Sequence, residues 1–411
     1  MGPVREATTH KMRDLTGNAV LERRLDELYA IGAEPDGGGG AYRPLYGSAW
    51  AAAGERVERW MKDAGLETRR DAVGNLWGRI EGTGKSIVTG SHIDTVRHGG
   101  RLDGALGIVA GLSAVEALLK ANGKPKRPLE VVAICEEEGS RFKTSFWGSH
   151  AITGTIDTVD PEIAAAMREL GLDPAKVASA ARDDIDTFVE LHIEQGAVLE
   201  SSGTPLAIVS AIVGTAHLEV TVTGRSDHAG TTPMDLRLDA LAGAAAMVQA
   251  VESIAKSLGR PAVATVGKLE VEPDQINVVP GKVVFIADLR HPDLAGRRAL
   301  EERVRSLCGT IASERGLGLD IRMLQERPPV PMHSDVRALL ARAATDCGVQ
   351  AAELVSGAGH DAQILAARMK VGMLFVPSIG GRSHCPDEAT NPRDLELGTR
   401  VLAKALELMA Y

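Results

Sequence analysis

The chain has 411 residues, 44% hydrophobic and 25% charged, with a formal net charge of −9 and a pI near 5.7; this is the balance of a soluble globular protein with room for two domains of about 100–200 residues. No Lys/Arg-rich stripe marks a nucleic-acid surface, and apolar stretches such as 241–251 fall short of the roughly 20 residues that span a bilayer. Residues 1–15 carry no apolar leader core, and Cys135, Cys308, Cys347 and Cys385 form neither a C-x-x-C pair nor a disulfide framework, so a reducing, cytoplasmic setting is expected.

In chain order, the glycine run 37–40 reads as a flexible loop and 49–64 as a helix. A strand over 86–91 ends in a polar loop carrying His92 and Asp94. Residues 104–120 have helical periodicity and small side chains suited to close packing on a sheet. The run 129–135, apolar but for Glu130, reads as a strand buried on both faces, and it stops abruptly at Glu136-Glu137-Glu138. Residues 188–193 form another short strand, which contains His192.

From about residue 212 the pattern changes. Strand 218–223, helix 238–258, strands 262–269 and 282–289, helix 295–315 and strand 319–323 follow in the order β-α-β-β-α-β, the signature of a ferredoxin-like unit. After Pro328, Pro329 and Pro331 come helix 336–347, the loop Ser356-Gly357-Ala358-Gly359-His360-Asp361, strand 371–376 and helix 395–409. The fold class expected is therefore α/β. A catalytic domain with a central mixed sheet flanked by helices takes residues 1–212 and 329–411, and an α+β domain is inserted at 213–328.

In open α/β sheets ligands bind beyond the carboxyl ends of the strands. Four strand ends here deliver metal-ligating side chains: His92 with the nearby loop residue Asp103, then Glu137 and Glu138, then His192, and finally His384. Any one of them alone reads as structural, and a Glu-Glu-Glu run usually as a solvated turn. Three carboxylates set directly after a buried strand cost several kcal/mol unless a cation compensates them. Imidazole and carboxylate suit zinc or manganese. Two such sets sharing one carboxylate would hold two ions about 3.5 Å apart, as in two-metal hydrolases. Neighbours on an extended backbone point to opposite sides, so spacing leaves open which of Glu136, Glu137 and Glu138 is ligand and which is base. A dinucleotide site is excluded: no G-x-G-x-x-G stands between a strand and a helix.

Gly90-Ser91-His92-Ile93-Asp94-Thr95-Val96 and Gly99-Gly100-Arg101-Leu102-Asp103-Gly104 resemble the first signature of the metal-dependent deacylase and aminopeptidase clan. Glu137-Glu138-Gly139-Ser140-Arg141-Phe142, Glu190-Leu191-His192-Ile193-Glu194-Gln195-Gly196 and His228-Ala229-Gly230-Thr231-Thr232-Pro233-Met234 resemble its allantoate amidohydrolase and N-carbamoyl-amino-acid hydrolase branch. The resemblance covers about residues 45–410 in unbroken motif order. It implies two divalent ions per subunit, zinc or manganese: one held by His92, His192 and Asp103, the other by Glu138 and His384, with Asp103 bridging. It implies Glu137 as the general base and Asp94 as the carboxylate that orients His92. The inserted domain would act as a lid and carry His228, Asn277 and Arg290 for the substrate. His228 would stabilise the oxyanion and Arg290 would grip a carboxylate. Gln195, Gly359 and His360 would line the opposite wall.

Phe146-Trp147-Gly148-Ser149, Pro329-Val330-Pro331-Met332 and the 356–363 segment resemble allantoate amidohydrolases, whereas Gly381-Arg382-Ser383-His384-Cys385-Pro386 is similar to bacterial carbamoylases. The balance selects allantoate, a small ureido carboxylate, over an N-carbamoyl-L-amino acid. A metallopeptidase would need an acidic residue for an α-amine, and the inserted domain offers none that can be pointed to. A non-catalytic homologue would have lost a ligand or the base, and all are present. An exposed sheet edge, at 218–223 or 262–269, invites pairing into a homodimer through the inserted domain.

Overall fold

The computed structural model describes residues 18–34 and 38–411. The 1–15 stretch read for a leader and Gly37 of the glycine run lie outside the described residues. Along the chain the strands are β1 (Glu67–Arg70), β2 (Leu76–Ile80), β3 (Ser86–His92), β4 (Leu129–Ile134), β5 (Ile185–Ile193), β6 (Ala207–Ile212), β7 (Gly214–Thr223), β8 (Asp227–His228), β9 (Val263–Glu272), β10 (Val278–Val279), β11 (Lys282–His291), β12 (Gly318–Arg327), β13 (Val330–Pro331), β14 (Ala352–Ser356) and β15 (Lys370–Val376). The chain divides into two compact units. The larger takes residues up to Ser210, Met332–Leu354 and Ala358–Tyr411, and the smaller takes Ala211–Pro331 with Val355–Gly357.

The larger unit is built on a mixed sheet in the order β1-β2-β4-β3-β5-β15-β6, with β14 added beside β6. The central strands β4, β3, β5 and β15 run parallel, and β1, β2 and β6 pair antiparallel at its flanks. Strands buried on both faces are mostly apolar, and all six residues of β4 are buried, its one charge, Glu130, being paired with Arg79 and Arg182. Helix Ala105–Asn122 packs directly on β3. A Cβ on Gly107 would lie 2.6 Å from the Ser91 Cβ, so only glycine allows this approach. That helix is a longer apolar run than the sequence reading singled out, and by length and composition alone it could cross a bilayer. Its residues from Ala105 to Val115 are all buried in the unit's own core.

The smaller unit is a four-stranded antiparallel sheet in the order β12-β7-β11-β9, the ferredoxin-like arrangement expected. Strict alternation along β7 sends Ala216, Leu218, Val220 and Val222 inward beside Val283, Phe285, Ala287 and Leu289 of β11. Helices Ala240–Leu258 and Leu294–Glu314 cover that face. One expectation is corrected: β7 pairs with β11 on one side and β12 on the other, so 218–223 is an interior strand. The free edge of the two offered is β9. A short ribbon, β8 with β10, sets His228 opposite Val278.

Candidate active site

The parallel strands of the larger unit end together, and their ends carry the site. His92 is the last residue of β3, and His192 is the last but one of β5. Glu136, Glu137 and Glu138 follow β4, and His384 lies in the loop after β15. Asp103 stands just before helix Ala105–Asn122. Three imidazoles converge on Asp103: His92 Nε2 at 3.3 Å and His192 Nε2 at 3.1 Å from Oδ1, and His384 Nε2 at 3.0 Å from Oδ2. His384 Nε2 is also 3.4 Å from Glu138 Oε1. The ligand atoms fall into overlapping groups: His92, Asp103 and His192; Asp103, Glu138 and His384; and His92, Glu137 and Glu138. Asp103 belongs to the first two, the position a bridge would occupy.

The three glutamates separate in the folded chain. Glu136 turns back into its own loop, accepting the Gly139 N–H and, at 3.1 Å, the Trp147 N–H. Asp94 ties the other two in place: its Oδ1 accepts the Glu137 N–H at 3.0 Å and its Oδ2 the Glu138 N–H at 3.3 Å. The same Asp94 Oδ1 lies 3.3 Å from His92 Nδ1. One buried carboxylate thereby orients an imidazole and the loop bearing two further acids.

The charges in this cluster press on one another. Burial first, then the charge of Asp103, pushes the Glu138 carboxyl up to about 7. Burial and the neighbouring Glu138 push Glu137 well above the usual carboxylate range. His384, held by Asp103, is raised to about 9. Burial opposes ionisation of Asp103, yet the three imidazoles outweigh it and hold its carboxyl well below normal. His192 Nε2 is buried and, although 3.1 Å from Asp103 Oδ1, has no hydrogen-bond partner among the described residues. Imidazoles and acids packed at this density, with an orphaned buried nitrogen among them, fit divalent cations of the zinc or manganese type.

Other expected residues of the larger unit gather around this cluster. Gln195 Nε2 donates to Asp103 Oδ2 at 2.8 Å. His360 is buried with its ring edge-on to His192, centroids 4.6 Å apart, and burial holds its pKa well below the ordinary value. Gly359 lies against Phe146, whose ring tip would be 3.0 Å from a Cβ there. In the smaller unit, His228 and Asn277 are brought together, the Ala229 N–H donating to the Asn277 carbonyl at 2.9 Å. His228 Nδ1 accepts the N–H groups of Gly230 and Thr231 at 3.0 and 3.2 Å. With Nδ1 accepting, the neutral ring carries its proton on Nε2 and can donate there. Arg290 donates a two-point hydrogen bond to the Asp288 carboxylate through Nε and Nη2, the latter at 2.7 Å, and its Nη1 donates to the Gly357 carbonyl at 2.6 Å.

Sequence reasoning passed over several polar groups that the structure places here. Glu190 accepts the Ser91 hydroxyl at 2.6 Å, and Asp361 accepts that of Ser149. Ser383 lies 3.2 Å from Asp103 Oδ2. Each stands close to a motif residue already singled out. Only proximity to that residue could have flagged them, since their partners are distant in sequence.

Fold and site together define a metal-dependent hydrolase with its chemistry at the carboxyl ends of a mixed sheet. The chain belongs to peptidase family M20/M25/M40, whose model matches residues 88–408. It is 41% identical over 404 residues to the allantoate amidohydrolase of Escherichia coli strain K12, covering 95% of this chain and 98% of that one. It is 40% identical over 403 residues to the N-carbamoyl-L-amino-acid amidohydrolase of Paenarthrobacter aurescens, covering 95% and 97%. A solved hydantoinase/carbamoylase-family amidase from Burkholderia multivorans superposes with a TM-score of 0.89 at 33% identity, over 96% of this chain and 98% of that one. Within the family this chain is thus a metallo-amidohydrolase of the allantoate and N-carbamoyl-amino-acid type.

Proposed function

We propose that the chain hydrolyses one ureido C–N bond of allantoate, yielding a ureidoglycine-type product together with ammonia and carbon dioxide. The observation that carries the chemistry is the convergence of His92, His192 and His384 on Asp103, with Glu137 grouped beside His92. His92, His192 and Asp103 would hold one divalent ion, and Asp103, Glu138 and His384 the other. Such ions supply Lewis-acid polarisation of the ureido carbonyl and acidify the attacking water.

The side chains do the rest. Glu137 takes the proton of the attacking water and returns it to the departing nitrogen. The Nε2–H of His228 donates to the oxyanion. Arg290 grips the substrate carboxylate, Asn277 donates to and accepts from its polar groups, and Gln195, Gly359 and His360 contact the substrate from beside the metal cluster. Allantoate is favoured by the resemblance of the 146–149, 329–332 and 356–363 segments to allantoate amidohydrolases; the first and last of these touch, the Ser149 hydroxyl donating to Asp361 and Phe146 packing on Gly359. A homodimer through the free edge of β9, where Val263 and Leu269 are exposed, accompanies this reading.

The test is ammonia release by the purified, metal-loaded chain on allantoate and on a panel of N-carbamoyl-L-amino acids. Turnover of allantoate with the higher kcat/KM is the expected result. Turnover of the carbamoyl amino acids alone would replace allantoate with the second substrate class.

A further inference from the structure

Two of the segments that carry ligands, one around Asp103 and one around His384, are far apart in sequence and are fastened together by a carboxylate outside the ligand set. Glu388 is 5% exposed. Its Oε1 accepts the backbone N–H of Leu102 at 2.7 Å and of Asp103 at 3.0 Å, across 285 residues of chain in the latter case. Its Oε2 accepts the Ser383 hydroxyl at 2.8 Å. The Glu388 N–H closes a turn onto the Cys385 carbonyl at 3.2 Å, so the segment from Ser383 to Glu388 folds back on itself around His384. Ser383 Oγ also accepts from Gln195 Nε2 at 3.3 Å. Gly100 lies against the same group: a Cβ there would overlap both the carboxylate and the Cβ of Glu388.

We infer that Glu388 is a positioning residue that sets the spacing of His384 from Asp103, and thereby the affinity for the ion held by Asp103, Glu138 and His384. The physical reason lies in what each end would do alone. His384 sits at a φ of +56°, a left-handed conformation that a non-glycine residue keeps only when its surroundings impose it. Two charge-assisted bonds to one loop and one to the other impose it here. The Gly100 position is the counterpart: the Asp103 loop can approach the carboxylate only without a side chain at 100. The inference rests on the two-ion reading proposed above, and its test separates the two.

The full chain is stripped of metal and titrated with zinc ions alone by calorimetry, folding being checked by circular dichroism. The native chain should bind two ions. Glu388→Ala and Glu388→Asp should leave one site at native affinity and weaken the other about 10–100-fold, the usual cost of losing an outer partner of a ligand. Glu388→Gln keeps an oxygen for the Leu102 and Asp103 N–H groups and should stay within a few-fold of native. Gly100→Ala, whose Cβ would overlap the carboxylate, should weaken the same single site in the native background. Two sites of native affinity in Glu388→Ala, or equal weakening of both, would overturn the inference. If Glu388→Ala does not fold, native affinity in both Glu388→Asp and Gly100→Ala overturns it. Fewer than two ions on the native chain would instead bring down the two-ion reading, and this inference with it.

Discussion

His192 and Asp103 face each other at 3.1 Å, Nε2 to Oδ1, without the alignment of a hydrogen bond. Buried polar atoms this close are normally paired, and a shared cation explains the geometry without any rearrangement. Chelation of the purified enzyme should abolish turnover and lower the melting temperature, with zinc or manganese restoring both. At an ion concentration of 100 times Kd, each ion adds about 2.7 kcal/mol to stability. Asp103→Asn should reduce metal content at both sites, as counted by elemental analysis. Retention of both ions would remove Asp103 from the bridging position.

Glu137 and Glu138 are neighbours with different surroundings. Both group with His92 and are held through their N–H on Asp94, and Glu138 also meets His384. Glu137→Gln should lower kcat by roughly 10²–10⁴-fold, the span of general-base catalysis, while the metal content stays at the native value. Glu138→Gln should lose metal as well as rate. The pair of measurements distinguishes base from ligand.

Arg290 has five N–H donors. Asp288 takes Nε–H and one Nη2–H, and Gly357 takes one Nη1–H. Among the described residues, one N–H on each terminal nitrogen is left to meet a carboxylate. Arg290→Ala should raise KM for a ureido carboxylate roughly 10–150-fold, from a loss of about 1.5–3 kcal/mol in charged hydrogen bonds. Arg290→Lys should recover little of it, because an ammonium cannot form the fork. A ureido compound without a carboxylate should show no such penalty.

Asp361 is fully buried, and burial followed by the charge of Glu190 lifts its carboxyl to about 8. Its folded value lies above its unfolded value of 3.8. The stability it contributes is therefore complete below about pH 3.8 and is lost as pH rises through about 8. Asp361→Asn stays neutral and lacks this dependence. With metal content held constant, the melting temperature of the native chain should fall relative to Asp361→Asn between pH 5 and 9 and level off above that. A constant difference across the range would show that the carboxyl is ionised throughout.

How far the sequence reaches differs from element to element. β4 was legible as a run apolar but for Glu130, and β7 by its alternation, because burial on two faces or one leaves a direct trace in residue type. β1, Glu-Thr-Arg-Arg, leaves none: it is a mostly exposed flank strand that gains its conformation from pairing with β2. The free edge was equally hidden. Strands 218–223 and 262–269 look alike as candidates, and only pairing shows that β7 is interior.

By itself, the sequence supplied the candidate inventory of the site: three histidines, Asp103 and the acid run, at predicted strand ends or in the loops that follow them, because strand ends and ligand types are local properties. It left the three consecutive glutamates undivided, since alternation says only that neighbours diverge. Tertiary structure turns Glu136 away onto the Gly139 and Trp147 N–H groups and ties Glu137 and Glu138 to Asp94, while the roles of base and ligand within that pair rest on the resemblance. It also decided the convergence on Asp103 and the clamp at Glu388. Those contacts join residues nearly 300 positions apart, and only folding sets the distances on which electrostatics and coordination depend.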